Sequence, residues 1–491
     1  MDPTSSRRPA PRRPRPDAAD RSVRGGVRPP ADAATGAASS PVGQAAHGAP
    51  LWMLLDATAQ ALQAVRSGQS GTTALAAVDG ALRPGVQALL FQALRHLGLA
   101  QAVRRQLAPR NPPPRVDALL CTALALAWDP AQAPYEPFTL VNQAVEAAKR
   151  QAATQPQSAF INACLRRFLR ERDALVAAAQ TDPVARWNHP AWWIDRLRQD
   201  HPAHWQQILA ANNRHAPMAL RVSMQKSTPA QYQQVLAAIN IESSLVGSTG
   251  VELRQPVPVQ QLPGFAEGTV SVQDAAAQQA APLLLDGLDR AAPLRVLDAC
   301  AAPGGKTAHI LEWAGAGAPW QVTALEVDAQ RSQRIHDTLQ RLQLSAQVLV
   351  ADAARPQDWW TQHCGGEPFD AILLDAPCTA SGIVRRHPDV RWLRRPTDIA
   401  QLSRLQAQLL AALWPLVKPG GRLLYCTCSV FRAEGDEQVQ AFLAHNTDAR
   451  LLPSPGHLIP GNPDKAGALA ENPSGDHDGF FYALLQKSPA A

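Results

Sequence analysis

A chain of 491 residues exceeds what one ordinary core organises, so two or three domains are expected. The net charge of +6 does not by itself mark a polyanion binder, and no apolar run approaches the roughly 18 residues that cross a bilayer, so no membrane span is expected. Seven cysteines without the spacing of a disulfide framework, after a start with no apolar leader core, fit a reducing cytoplasm.

Residues 1–50 hold eight arginines against four aspartates, a net +4 that leaves +2 for the remainder. They are Pro, Arg, Ala and Gly with almost no large apolar side chain, which cannot offset the entropy of ordering, and they read as a disordered tail. From Leu51 apolar residues recur at helical spacing in LWMLLDATAQALQAV, VQALLFQALRHLG, VDALLCTALALAW, LVNQAVEAAK and FINACLRRFLRER. Pro84 and the stretch Asn111 to Pro114 break the pattern. Residues 51–180 are therefore expected to form an all-helical domain, in which Ala118 to Trp128 is a core helix.

Residues 181–286 mix helical stretches, WIDRLRQD and PAQYQQVLAAI, with strand-like LRVS and VELR, and read as a small α+β connector. Trp187, His189, Trp192 and Trp193 invite a base-stacking role, but core packing is the preferred reading. Arg221 is left open between facing RNA and facing inward. Across residues 287–488 short apolar strands alternate with helical segments: LRVLDA, QVTALEVD, AQVLVAD, FDAILLDAP and GGRLLYCTC. That alternation predicts an α/β domain, a doubly wound and mostly parallel sheet.

Between the first strand and its helix lies VLDACAAPGGKT, Val296 to Thr307. Gly304 and Gly305 let backbone approach a ligand closely, and the helix start offers free N–H groups to an anionic moiety. The phosphate-loop pattern G-x-x-x-x-G-K-[ST] fails here, because Cys300 stands where its first glycine belongs, which argues against an NTPase. Glu326, Asp352 and Asp375 follow the next strands at their carboxyl ends, where an open α/β sheet forms its ligand crevice and an acid commonly bonds ribose.

Cys378, in Asp-Ala-Pro-Cys, and Cys428, in Tyr-Cys-Thr-Cys, each follow a predicted strand on that same edge. Thiols at two loop positions facing one crevice are unusual for mere packing and suit nucleophilic catalysis. Cys121, Cys164 and Cys364 read instead as small buried hydrophobes. No second paired motif accompanies the C-x-C of Cys426 and Cys428, so no metal is expected despite His363 and His387.

CAAPGGKT, LDAPCTASGIVRRHPDVRW, YCTCSV and the late DGFFYALL together resemble the bacterial 16S ribosomal RNA cytosine-5 methyltransferases of the Sun superfamily, over about Leu51 to Lys487. The helical region is similar to the RNA-binding antitermination factor NusB, with FINACLRRFL as its last helix, and VSVQDAAAQ resembles the family segment before the first catalytic strand. The resemblance implies a Rossmann-like class I methyltransferase domain that binds S-adenosylmethionine. It implies that Cys300, Ala301, Ala302, Pro303, Gly304, Gly305 and Lys306 hold the methionine part, with Glu326 on the ribose and Asp352 near the adenine. Asp375 would lie near the methyl donor and target base. Cys428 would be the nucleophile and Cys378 would assist product release. Glu326 stands where Asp is expected, and Cys426 where a small residue such as Ala is expected.

Arg385, Arg386, His387, Arg391, Arg394 and Arg395 follow the Pro-Cys loop, where phosphates flanking an extruded base would lie. A solvated basic loop is the rival reading. The expectation is a monomeric, cytoplasmic enzyme acting on 16S ribosomal RNA. The alternative is a non-catalytic RNA-binding or antitermination factor, against which the intact acids and cysteines argue.

Overall fold

The computed structural model describes residues 49–460 and 476–489. The expectation of a disordered tail over residues 1–50 lies outside the described residues, Ala49 and Pro50 excepted.

Seven helices come first: α1 (Leu51–Arg66), α2 (Gly71–Ala76), α3 (Arg83–Arg95), α4 (Leu97–Leu107), α5 (Pro114–Ala127), α6 (Pro137–Arg150) and α7 (Ser158–Ala179). Pro114 opens α5, a position whose N–H has no helical partner, and every residue from Val116 to Ala127 is buried among its neighbours. Each leucine so buried contributes about 1.5–3 kcal/mol, which makes α5 the axis of this region. Its one buried acid, Asp117, is held by Arg104 and Arg66, each at 2.8 Å. Cys121, on the same helix, is fully buried and its thiol is pushed up to about 12 by that burial. Helices α2 and α4 have no counterpart among the expected segments. The first is only six residues, and the second follows α3 across the single residue His96, so no turn signal separates them.

Next come α8 (Pro183–Trp187), α9 (Ala191–Asp200) and α10 (Trp205–Asn212), then a four-stranded antiparallel sheet. Its strands are β1 (Met218–Val222), β2 (Ser243–Val246), β3 (Gly250–Leu253) and β4 (Val270–Val272), ordered β2-β3-β1-β4. Helix α11 (Pro229–Ala238) follows β1, started by a capping box in which Thr228 and Gln231 exchange side-chain and backbone bonds. Trp193 is fully buried with its ring 5.0 Å from Phe431, so the tryptophan cluster is core.

After α12 (Ala280–Leu285) the strands β5 (Arg295–Asp298), β6 (Gln321–Glu326), β7 (Gln347–Val350), β8 (Phe369–Asp375) and β9 (Val417–Thr427) run parallel. Three further strands, β10 (Ala449–Leu451), β11 (Gly456–Leu458) and β12 (Phe480–Lys487), complete the sheet in the order β10-β12-β9-β8-β5-β6-β7, with β11 beside β12. Of these three, β12 alone, antiparallel to β9, falls on a string that carries the sequence resemblance, DGFFYALL. Helix α13 (Gly305–Ala314) follows β5, and α14 (Ala329–Leu342) follows β6.

Leu297, Ile372, Leu374 and Leu423 enter one buried cluster while Val296, Leu373, Leu424 and Cys426 enter another. Both faces are thus covered, as a parallel sheet requires. The order reverses at β5, which has β6 on one side and β8 on the other, and ligands bind outside the carboxyl ends at such a point. Among the described residues no helix is long and apolar enough to cross a membrane.

Candidate active site

The loop from Ala299 to Gly304 leaves β5 at that reversal and enters α13. Gly304 adopts φ 96°, and a Cβ there would stand 3.1 Å from the Ile335 Cα of α14, so handedness and space both call for glycine. Thr338 donates to the Pro303 carbonyl at 2.7 Å, which ties the loop to α14. From the other side Arg221 reaches across from β1. It is buried, donates to the Gly305 carbonyl at 2.7 Å and holds both Glu312 oxygens at 2.9 and 3.0 Å. The position that the sequence left open is therefore an inward brace on the start of α13.

Asp298 ends β5 and lies beneath this loop. One of its oxygens accepts from Thr307 at 2.6 Å, while the other is buried with no hydrogen-bond partner among the described residues. Burial raises its pKa to about 7, with neighbouring Asp375 adding to the rise and the Thr307 bond opposing it. A buried carboxylate oxygen left open beside a glycine turn and a helix N-terminus can receive a ligand that carries an ammonium beside a carboxylate. Sequence reasoning missed Asp298, although it ends a strand just as Glu326 and Asp375 do.

Glu326 is buried at the end of β6, accepts from the Asp328 N–H at 3.1 Å and lies 3.3 Å from Arg331. Asp352 is exposed beyond β7, and one of its oxygens accepts from the Ala354 N–H at 2.9 Å. Cys300 is partly buried, and burial followed by Asp375, Asp298 and Glu326 pushes its thiol up.

Asp375 and Lys306 meet at 2.6 Å where β8 ends. Burial disfavours the lysine charge, but Asp375 and the sulfurs of Cys426 and Cys428 more than reverse that, so its pKa is raised. Cys426 is fully buried with its sulfur 3.5 Å from the other Asp375 oxygen, so a thiol fills the place expected for a small residue and bonds the carboxylate from below. The sulfurs of Cys378 and Cys428 approach to 3.3 Å. Their loops are stitched together by the Gly382 N–H on the Cys428 carbonyl and the Ala376 N–H on the Cys426 carbonyl, both at 2.9 Å. The bond to Cys428, then burial, then the charges of Cys428 and Glu434 push the Cys378 thiol well up.

The arginine cluster behaves otherwise than expected. Arg385 is fully buried, bonding Asp478 at 2.6 Å and both Asp476 oxygens at 2.9 Å. Arg391 is fully buried among acceptors, the carbonyls of Asn188 and Asn212 at 3.1 and 2.6 Å and the Asn213 side chain. Arg386 is committed to Asp274, at 2.7 Å, and to Asp478. An assignment of Arg385 and Arg391 to RNA phosphates is thereby corrected: the segment after the Pro-Cys loop turns inward and meets the helices. There Arg95 donates to the Arg385 carbonyl, Trp392 to the Leu94 carbonyl and the Gly71 N–H to Asp389. His387 is exposed, as is Arg395, and Arg394 is partly so while bonding the Thr379 carbonyl at 3.0 Å.

A doubly wound sheet with a small-residue loop, strand-end acids and two thiols at one crevice has the architecture of an α/β enzyme with its ligand crevice at the carboxyl ends of the strands. The family described as 16S rRNA methyltransferase RsmB/F matches residues 287–486, and an RsmF/B-like ferredoxin-like domain matches residues 189–260. The chain is 42% identical over 444 residues to the ribosomal RNA small subunit methyltransferase B of Vibrio cholerae, covering 88% of this chain and 96% of that protein. It is 43% identical over 339 residues to the protein of that name from Serratia proteamaculans, covering 68% and 75%. The crystal structure of PH0851 superposes with a TM-score of 0.66 at 25% identity, over 88% of this chain and 99% of that one. The chain belongs to the RsmB/F family of 16S rRNA methyltransferases, and it is an rRNA methyltransferase.

Proposed function

We propose that this enzyme transfers a methyl group to C5 of a cytosine in 16S ribosomal RNA, with S-adenosylmethionine as donor and Cys428 as nucleophile. The observation that carries this reading is the 3.3 Å approach of the Cys378 and Cys428 sulfurs beside the Lys306–Asp375 pair. S-adenosylmethionine would supply an electrophilic methyl on a sulfonium. The open Asp298 oxygen would take its ammonium, the N–H groups at the start of α13 its carboxylate, and Glu326 its ribose hydroxyls.

The Cys428 thiolate adds to C6 of the extruded base, and the C5=C6 electron pair becomes available at C5. Asp375, anchored by Lys306, hydrogen bonds near N3 and holds the ring as charge develops there. Once C5 carries the methyl, loss of the C5 proton to solvent closes the C5=C6 bond and expels the Cys428 sulfur. Cys378, beside it, assists that release.

The helical region is assigned to RNA docking, supported by exposed Lys149 on α6 and Arg166, Arg167 and Arg170 on α7. Work on ribosomal RNA fits the expected cytoplasmic location. The test is 5-methylcytosine mapping in 16S RNA from cells with and without the protein. One lost cytosine signal supports the reading, and an unchanged map contradicts it.

A further inference from the structure

The two cysteine loops share a buried anchor that the proposed chemistry does not use. Glu434 follows β9 by a few residues and is fully buried. Its carboxylate receives the Thr379 N–H at 2.9 Å, the Thr379 hydroxyl at 2.5 Å, the Ser429 hydroxyl at 2.6 Å and the Gln406 amide at 3.2 Å. Thr379 is the neighbour of Cys378 and Ser429 the neighbour of Cys428, so a single side chain grips the residue after each cysteine. Its backbone carbonyl accepts from the hydroxyls of Tyr425 and Thr427, both on β9 just before Cys428. Gln406 in turn donates to the Pro377 carbonyl at 2.8 Å.

We propose that Glu434 is a positioning residue for methyl transfer: it clamps the Cys378 loop to the Cys428 loop and sets its negative charge beside Cys378, so that the two cysteines take different roles. This rests on the reading that both cysteines serve the reaction. Among the described residues the carboxylate receives a backbone N–H, an amide and two hydroxyls, donors that favour its ionised form. Burial raises the Glu434 pKa and those donors work against the rise. The charge lies among the causes that push the Cys378 thiol up, after the Cys428 bond, burial and the charge of Cys428. On the opposite side Lys306 brings positive charge toward Cys428 and Cys426. The crevice is therefore polarised, with an anion behind Cys378 and a cation toward Cys428. That asymmetry favours a thiol at Cys378.

The test follows alkylation of Cys378 by iodoacetamide against pH, read by peptide mass spectrometry on the full chain. Cys428→Ala is compared with Cys428→Ala/Glu434→Gln, which removes the sulfur–sulfur bond from both. The expected result is a Cys378 midpoint lower by one pH unit or more in the variant that also carries Glu434→Gln. In the single variant Glu434→Gln, kcat on an unmodified 16S RNA transcript should fall at least tenfold with KM for S-adenosylmethionine unchanged. An unmoved Cys378 midpoint overturns the proposal, whatever happens to turnover, because a structural role alone would not move it. Should Glu434→Gln fail to fold, Thr379→Val removes one clamp bond and keeps the charge. It should lower kcat about tenfold, and wild-type turnover there overturns the proposal. The thiol profile needs no turnover, so its outcome is separate from the question of whether the wild-type enzyme methylates cytosine.

Discussion

The sulfurs of Cys378 and Cys428 stand 3.3 Å apart, although 50 residues of chain separate them. The parallel pairing of β8 and β9 sets this distance, since Asp375 lies in register with Cys426 and each cysteine follows its partner in that register by two or three residues. Their separation within one crevice is a property of the sheet, and each prediction below probes what surrounds it.

Asp298 makes cofactor binding depend on pH. Its pKa in the free protein is raised to about 7 by burial, so below that it is protonated and unable to pair with an ammonium. S-adenosylhomocysteine should therefore bind more tightly as pH rises from 6 to 8, by at most tenfold per unit below 7. The sign for stability is opposite: a buried acid whose folded pKa is raised costs the free protein stability as pH climbs from about 4 to 7. Calorimetry on Asp298→Asn should show weaker binding with this pH dependence flattened. A pH profile identical to wild type would remove Asp298 from the site.

Glu326→Ala should weaken S-adenosylhomocysteine binding by about 10- to 100-fold, the loss of one or two hydrogen bonds from a charged acceptor to a ribose diol. ATP should not bind measurably to the wild-type protein, because Cys300 replaces the phosphate-loop glycine. Tight ATP binding with no S-adenosylhomocysteine binding would contradict the cofactor assignment.

Arg385→Ala should act on stability and not directly on RNA. It leaves Asp476 without its partner and Asp478 with Arg386 alone, a cost of about 3 kcal/mol in a buried network. Denaturant unfolding should record that loss, while the salt dependence of RNA binding keeps its slope. A reduced slope with unchanged stability would return Arg385 to the RNA interface.

What the sequence made legible was local. The turn after β5, the acids of β6 and β8 and both cysteines each sit within a few residues of a strand end, where their context is read directly from neighbours. What it hid was paired across the chain. Arg221 meets Glu312 over 91 residues and Arg385 meets Asp478 over 93, so basic residues that suggested RNA are consumed by burial. Glu434 lies between the YCTCSV and DGFFYALL strings, in a stretch whose pattern announces nothing. Strands β2, β4, β10 and β11 have three or four residues each, too few for an alternation to stand out.

The central claim is that Cys428 is the nucleophile, and denaturing electrophoresis of the cysteine variants with 16S RNA tests it most directly. Cys378→Ala should accumulate a denaturation-resistant protein–RNA complex that requires S-adenosylmethionine, because the adduct forms and its release stalls. Cys428→Ala should bind RNA and cofactor yet form no complex and transfer no methyl group, and the double variant should form none. A trapped complex with Cys428→Ala, absent with Cys378→Ala, would contradict the account and make Cys378 the attacking residue.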